Sequence, residues 1–132
     1  MLTQIAIIAT MLLFSGFFEG SVEALKYRYK VVKRKLPFLH DKFWCPALSY
    51  NNKYKNHDEA QGARFWFSTT ALVWLTDGYH LLNFISNTLL FAACALCCTL
   101  SLSLTDAVFA FFILHSIYSV GCSLAIDIFF NK

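Results

Sequence analysis

The residues best equipped for chemistry are Asp77 and His80, three apart in Thr76-Asp77-Gly78-Tyr79-His80, a spacing that brings a carboxylate and an imidazole to one side of a helix. Glu19 and Glu23, four apart, share a helix face in the same way. Carboxylate oxygens with an imidazole nitrogen can hold a divalent metal or relay protons. Asp77, His80 and Glu23 are therefore the candidate catalytic residues, with His80 as ligand or base. Glu19 joins these three as a candidate metal ligand. The competing arrangement is structural: His80 bonds Asp77 or Glu23, and Arg28 neutralises an acid.

Other reactive side chains carry weaker signals. Cys94, Cys97 and Cys98 form Cys-Ala-Leu-Cys-Cys, but a C-x-x-C zinc site needs two further ligands and the chain has no second pair. They read as small packing residues. His115 lies twelve residues before Asp127, roughly 18 Å away along a helix, and reads as a hydrogen-bond donor between helices. On the same stretch Ser119 and Cys122 share its side. The chain contains no Gly-rich phosphate loop, no G-x-S-x-G and no H-E-x-x-H.

The elements that must position these groups are apolar. Of 132 residues, 58% are hydrophobic, 17% aromatic and only 14% charged, against about 25% charged in soluble domains, and mean hydropathy is +0.53. A water-soluble globule, a disordered chain and a disulfide scaffold are all disfavoured. Residues 1–24 approach the ~20 residues that cross a bilayer. They lack the basic start and the clear cleavage site of a secretory signal, so a retained helix is expected. Trp66 to Leu104 holds one acid and no base, and as one helix it would reach well past a ~30 Å hydrocarbon core. It is expected to divide into an interfacial or re-entrant stretch over 67–81, capped by Ser68, Thr69 or Thr70, and a span over 82–103. The last span falls at 107–129. On the interfacial stretch Thr69, Thr70, Thr76, Asp77 and His80 would form one polar stripe, continued by Asn87. Gly16 and Gly20, in a G-x-x-x-G arrangement, share the face of Glu19 and Glu23 and permit close helix approach.

Charge is partitioned along the chain. Residues 25–66 hold ten bases and three acids, a local charge of +7, while the rest holds one base and five acids, −4. The positive-inside rule then places this segment in the cytoplasm, the N-terminus outside and the C-terminus inside. Lys26, Arg28, Lys30, Lys33, Arg34 and Lys35 follow the first span directly and suit anionic lipid headgroups. Interleaved Tyr27 and Tyr29 could stack on bases, but no nucleic-acid motif accompanies them, and no nucleic-acid partner is expected. The remaining loop is rich in Asn and X-Pro turn signals, with an aromatic density that favours order. Phe43, Trp44, Trp66 and Trp74 are its expected interfacial anchors.

Three strings in this region, Trp44-Cys45-Pro46-Ala47-Leu48-Ser49-Tyr50-Asn51-Asn52-Lys53-Tyr54-Lys55-Asn56, Phe67-Ser68-Thr69-Thr70 and Leu75-Thr76-Asp77-Gly78-Tyr79-His80, resemble an uncharacterised family of small integral membrane proteins from bacteria and their phages. That family's pattern is close to W-N-P, S-W-x-N-K-Y-K, S-T-T and T-D-x-W-H, with an acid and a nearby His in the first helix. The chain departs from it at Cys45, Tyr50, Tyr79 and Arg28. The resemblance covers the middle third and the end of the first span, and it implies membrane residence without an activity.

The fold expected is an all-α membrane protein of about three transmembrane helices, an interfacial helical stretch and an ordered basic cytoplasmic loop. The leading functional reading is a lipid- and protein-binding membrane component, partnered by anionic lipids and by itself or another membrane protein. The alternatives are a membrane-edge metal-dependent hydrolase or transferase at Asp77, His80 and Glu23, and an oligomeric ion or proton pathway lined by Glu19, Asp77 and His115.

Overall fold

The computed structural model describes residues 2–100 and 103–130. Among these, the chain is helical, with a single isolated antiparallel bridge between Tyr54 and Ala63. Three helices are long and apolar enough to cross a membrane: α1 (Leu2–Lys35), α4 (Gly78–Cys97) and α5 (Leu104–Phe130). Two short helices, α2 (Asp41–Trp44) and α3 (Pro46–Ser49), and four 3-10 turns fill the connection between α1 and α4. All of that connection, and with it nearly all the positive charge, lies at one end of the bundle.

α1 does not stop at residue 24. It continues through the basic segment to Lys35, breaking helical geometry once at Arg28 (φ −134°, ψ 29°). Pro37 stops it, because the residue before a proline is driven out of the α region. Lys33, Arg34 and Lys35 occupy its last turn, where cations suit the negative helix end. The segment over 67–81 is not one helix. Phe67 has a positive φ of 59°, and the Ser68 hydroxyl, buried in the loop, donates to Lys53 O at 2.7 Å instead of capping a helix. The polar stripe through Thr69 and Thr70 is therefore not assembled. The second span begins at Gly78, four residues before residue 82, because Asp77 caps it. Its 20 residues rise about 30 Å, one hydrocarbon thickness. It ends at Cys97 with Thr99 Oγ1 donating to Leu96 O at 2.7 Å. Before α5, the Ser103 hydroxyl donates to Asp106 Oδ2 at 2.6 Å and accepts the Asp106 N–H at 3.2 Å, closing the helix start.

α1 is the central element. α5 runs parallel to it and α4 antiparallel, and among the described residues α4 and α5 hardly meet. The α1/α5 seam is made by glycines from both helices. A Cβ at Gly16 would run into the Tyr118 carbonyl, and one at Gly121 into the Leu13 carbonyl. At Gly20 a Cβ would stand 2.8 Å from that of Ala125. The face expected from G-x-x-x-G is thus buried, and α5 answers it with a glycine of its own. On the other side Ser15 Oγ donates to Ser86 O at 2.8 Å while Ser86 Oγ donates to Ser15 O at 2.9 Å. Both side chains are buried, so this reciprocal pair clamps α1 to α4. Around it Ile8, Leu12 and Ala93 form an apolar cluster.

Replacing Gly16 or Gly121 with Ile should force the seam apart and destabilise the protein by about 1–3 kcal/mol, the usual cost of overpacking. Thermal unfolding in detergent would show it as a fall of several degrees. An unchanged transition in both variants would mean that the helices do not touch there.

Candidate functional site

The sequence's strongest pair is brought together at the start of α4. Asp77 Oδ1 accepts the backbone N–H of His80 at 2.9 Å, the N-cap bond of α4. Asp77 Oδ2 lies 2.7 Å from His80 Nδ1 and 3.1 Å from Thr76 Oγ1. An ionised carboxylate can only accept, so Nδ1 is the donor of this bond and the ring's orientation is set by it. Asp77 is buried, only 1% exposed, while His80 is about a quarter exposed. One carboxylate thus fixes the helix start and the orientation of the ring together.

The loop holds this dyad in place. Asn52 Nδ2, buried, donates to Lys42 O at 2.7 Å and to Thr76 O at 2.9 Å, tying the loop to the residue before the cap. The Trp44 ring lies against Gly78, where any Cβ would run into it. The extension of α1 supplies the floor: Ala24, Leu25 and Val32 cluster with Leu39, and Tyr29, Trp44 and Leu82 pack against them. Farther out, Tyr29 OH donates to Asp41 Oδ1 at 2.7 Å and Lys33 Nζ stands 2.9 Å from the same oxygen.

A cavity of about 220 Å³ opens beside the dyad, lined by Asp77, His80, Ser49, Lys26, Tyr50 and Tyr79 along with Pro46. Ser49, the last residue of α3, is 1% exposed, and its hydroxyl has no hydrogen-bond partner. Sequence reasoning passed over Ser49, since a serine between Pro46 and an Asn pair reads as a turn former. It also passed over the Ser15–Ser86 clamp, because a serine in an apolar run announces no partner.

The other candidates fall elsewhere. Glu19, half-buried on α1, has Oε2 3.4 Å from Ser86 Oγ. Glu23, also half-buried, lies a turn farther along α1. Neither joins Asp77 and His80 in a metal centre: among the described residues no group of three or more His, Cys, Asp or Glu side chains can hold an ion. His115 does not bridge helices. It stacks on Phe111 (centroids 6.1 Å apart, planes at 10°) and faces an apolar groove of about 720 Å³ between α4 and α5, which Cys94, Cys97 and Cys98 also line. All five cysteines are free. Of the expected anchors, Trp66 is 84% exposed, Trp74 is half-buried and stacks on Phe84 at 4.7 Å, and Phe43 meets Trp44 edge to face at 5.3 Å.

No family model, no curated protein and no solved structure matches the chain.

The Tyr29 hydroxyl, and after it Lys33, hold the Asp41 carboxyl below its usual 3.8. A lowered carboxylate pKa contributes stability above the ordinary value, and that contribution is lost as pH falls through the lower folded value. Asp41→Asn should therefore unfold at a lower temperature than the parent at neutral pH, modestly because Asp41 is exposed, and the gap should close below pH 4. Melting curves in detergent from pH 7 to pH 2 would check this; a gap that stays constant over that range contradicts the assignment.

Proposed function

We propose that this protein is a lipid-engaging component of a bacterial inner membrane, holding anionic headgroups on its basic edge and associating laterally with itself or another membrane protein. The observation that carries this reading is the placement of ten bases at one end of three apolar helices. Six of them, Lys26, Arg28, Lys30, Lys33, Arg34 and Lys35, stand on the continuation of α1 beyond its apolar part, at headgroup height. Lys26, Lys30 and Arg34 are exposed there. The strings around Trp44, Ser68 and Asp77 support placing the chain with the small bacterial and phage membrane proteins that it resembles.

Each base near an anionic surface is worth about 1 kcal/mol. In nanodiscs mixing phosphatidylglycerol with phosphatidylcholine, the parent should retain the anionic lipid selectively on extraction, as read by native mass spectrometry. Replacing Lys26, Lys30 and Arg34 together with Gln should lower that selectivity by about two orders of magnitude at low salt. Equal retention of both lipids by the parent would refute the reading.

The same charge sets orientation through the positive-inside rule: N-terminus outside, basic loop and C-terminus in the cytoplasm. A cysteine placed at Asn56, in the exposed loop, should resist a membrane-impermeant thiol reagent in intact cells and react once the cells are opened. Modification in intact cells would reverse the topology.

A further inference from the structure

The chain that leads into α4 carries three consecutive aromatic side chains that the bundle leaves largely uncovered. Phe65 is 38% exposed, Trp66 84% and Phe67 55%, and the Trp66 and Phe67 rings lie 5.4 Å apart. A run of exposed rings marks a surface that meets something other than water. The turn that bears them is held in place. Ser68, buried, donates its hydroxyl to Lys53 O at 2.7 Å and accepts the Phe65 N–H at 3.3 Å. Lys53 O also accepts the Arg64 N–H at 2.9 Å, and the neighbouring Asn52 is bonded to Thr76 O, just before the cap of α4. Phe67 has a φ of 59°, in the left-handed region that glycine fills easily and a bulky side chain rarely enters. A phenyl ring kept at such a position and more than half exposed adds little to the interior. Its contacts lie outside the protein.

The neighbours of the turn give its height. Phe67 O accepts the Leu72 N–H at 2.9 Å, which folds the chain back to within two residues of Trp74. Trp74 stacks on Phe84, with ring centroids 4.7 Å apart and planes at 12°. Phe84 lies about 9 Å along the axis of α4 from Gly78, and it is exposed on the outer side of that helix. The turn therefore continues the outward surface of α4 beside its first two turns.

We propose that Phe65, Trp66 and Phe67 insert into the bilayer beside α4, at the boundary between headgroups and acyl chains in the leaflet next to the basic segment. The proposal deepens the lipid-engaging reading above and rests on its bilayer. Aromatic rings favour that boundary, and elements lying in it bury their apolar side chains about 5–10 Å deep. Arg64, exposed at the foot of the turn, keeps its guanidinium among the headgroups while the rings go below it. The three tryptophans divide between two tasks. Trp44 presses on Gly78 and Trp74 on Phe84, whereas Trp66 is turned outward with a phenylalanine on either side. The bases hold lipid by its charge and the turn holds it by its chains, so the second contact needs no anionic headgroup.

The test uses the full chain in nanodiscs of phosphatidylcholine alone, where attraction to anionic lipid plays no part. Trp44 and Trp74 stay in place, and the emission of Trp66 is read as the difference between the parent and Trp66→Phe, a change at an exposed ring. That difference should be blue-shifted from tryptophan in water and protected from acrylamide. It should lose most of its intensity when the lipid carries bromine near the carbonyl end of its acyl chains, and less when the bromine is near the methyl end. Phe65→Ser combined with Phe67→Asn, the latter a residue that tolerates positive φ, removes both flanking rings. Trp66 should then be quenched less by bromine and more by acrylamide. Trp66 emission that acrylamide quenches like free tryptophan would overturn the proposal by placing the turn in water. Protection from acrylamide without quenching by bromine would overturn it by placing a protein surface over the rings, and so would quenching strongest from the methyl end or unchanged in the double variant. Selective retention of phosphatidylglycerol is a separate measurement, governed by Lys26, Lys30 and Arg34, so either result can fail while the other stands.

Discussion

Between helices in lipid there is no hydrophobic effect to draw them together, so close packing and hydrogen bonds must hold the bundle. The structure rests on that constraint at α1. On one side of it Gly16 and Gly20 admit the backbone of α5, and Gly121 admits the backbone of α1 in return. On the other side Ser15 and Ser86 exchange hydroxyl-to-carbonyl hydrogen bonds with α4. One face of α1 is thus closed by the absence of side chains and another by two small polar ones. Because α4 and α5 both depend on α1 and hardly on each other, an apolar groove opens between them.

The same helix organises the basic edge. α1 continues past its apolar length with one break at Arg28, so the charged segment is carried on the same element as the span below it. Val32, near the end of that extension, clusters with Leu39, and Trp44 beyond it presses on Gly78. That contact abuts the first residue of α4. Asp77 then caps the helix and orients His80 with a single carboxylate. The order of dependence runs from the glycine seam through the helix extension and Trp44 to the dyad. The Asp77–His80 pair is therefore held by packing on both sides of the start of α4.

Much of the fold was legible from residue types. The three apolar runs, the basic belt and the pairing of Asp77 with His80 each follow from local rules: hydropathy, charge bias and helical spacing. Element boundaries were less so. Ser68, Thr69 and Thr70 offer three plausible caps, and nothing local says that Ser68 is committed to Lys53 O, fifteen residues earlier. Glu19 and Glu23 share a helix with the bases, yet whether they reach His80 depends on how α1 and α4 are rotated against each other, which spacing along one chain does not encode.

By itself the sequence determined the solvent of this protein, because too little charge and too many apolar residues leave a bilayer as the medium that suits three such helices. It also determined that one end of them is positive, and that an aspartate and a histidine three apart can meet. Only the tertiary structure decided that Gly121 answers Gly16, that Ser15 finds Ser86, and that Ser49 lies in the same cavity as His80. These juxtapose segments separated by 31 to 105 residues. A small residue carries no signal of its own for them: a glycine or a serine gains its meaning from the backbone brought against it.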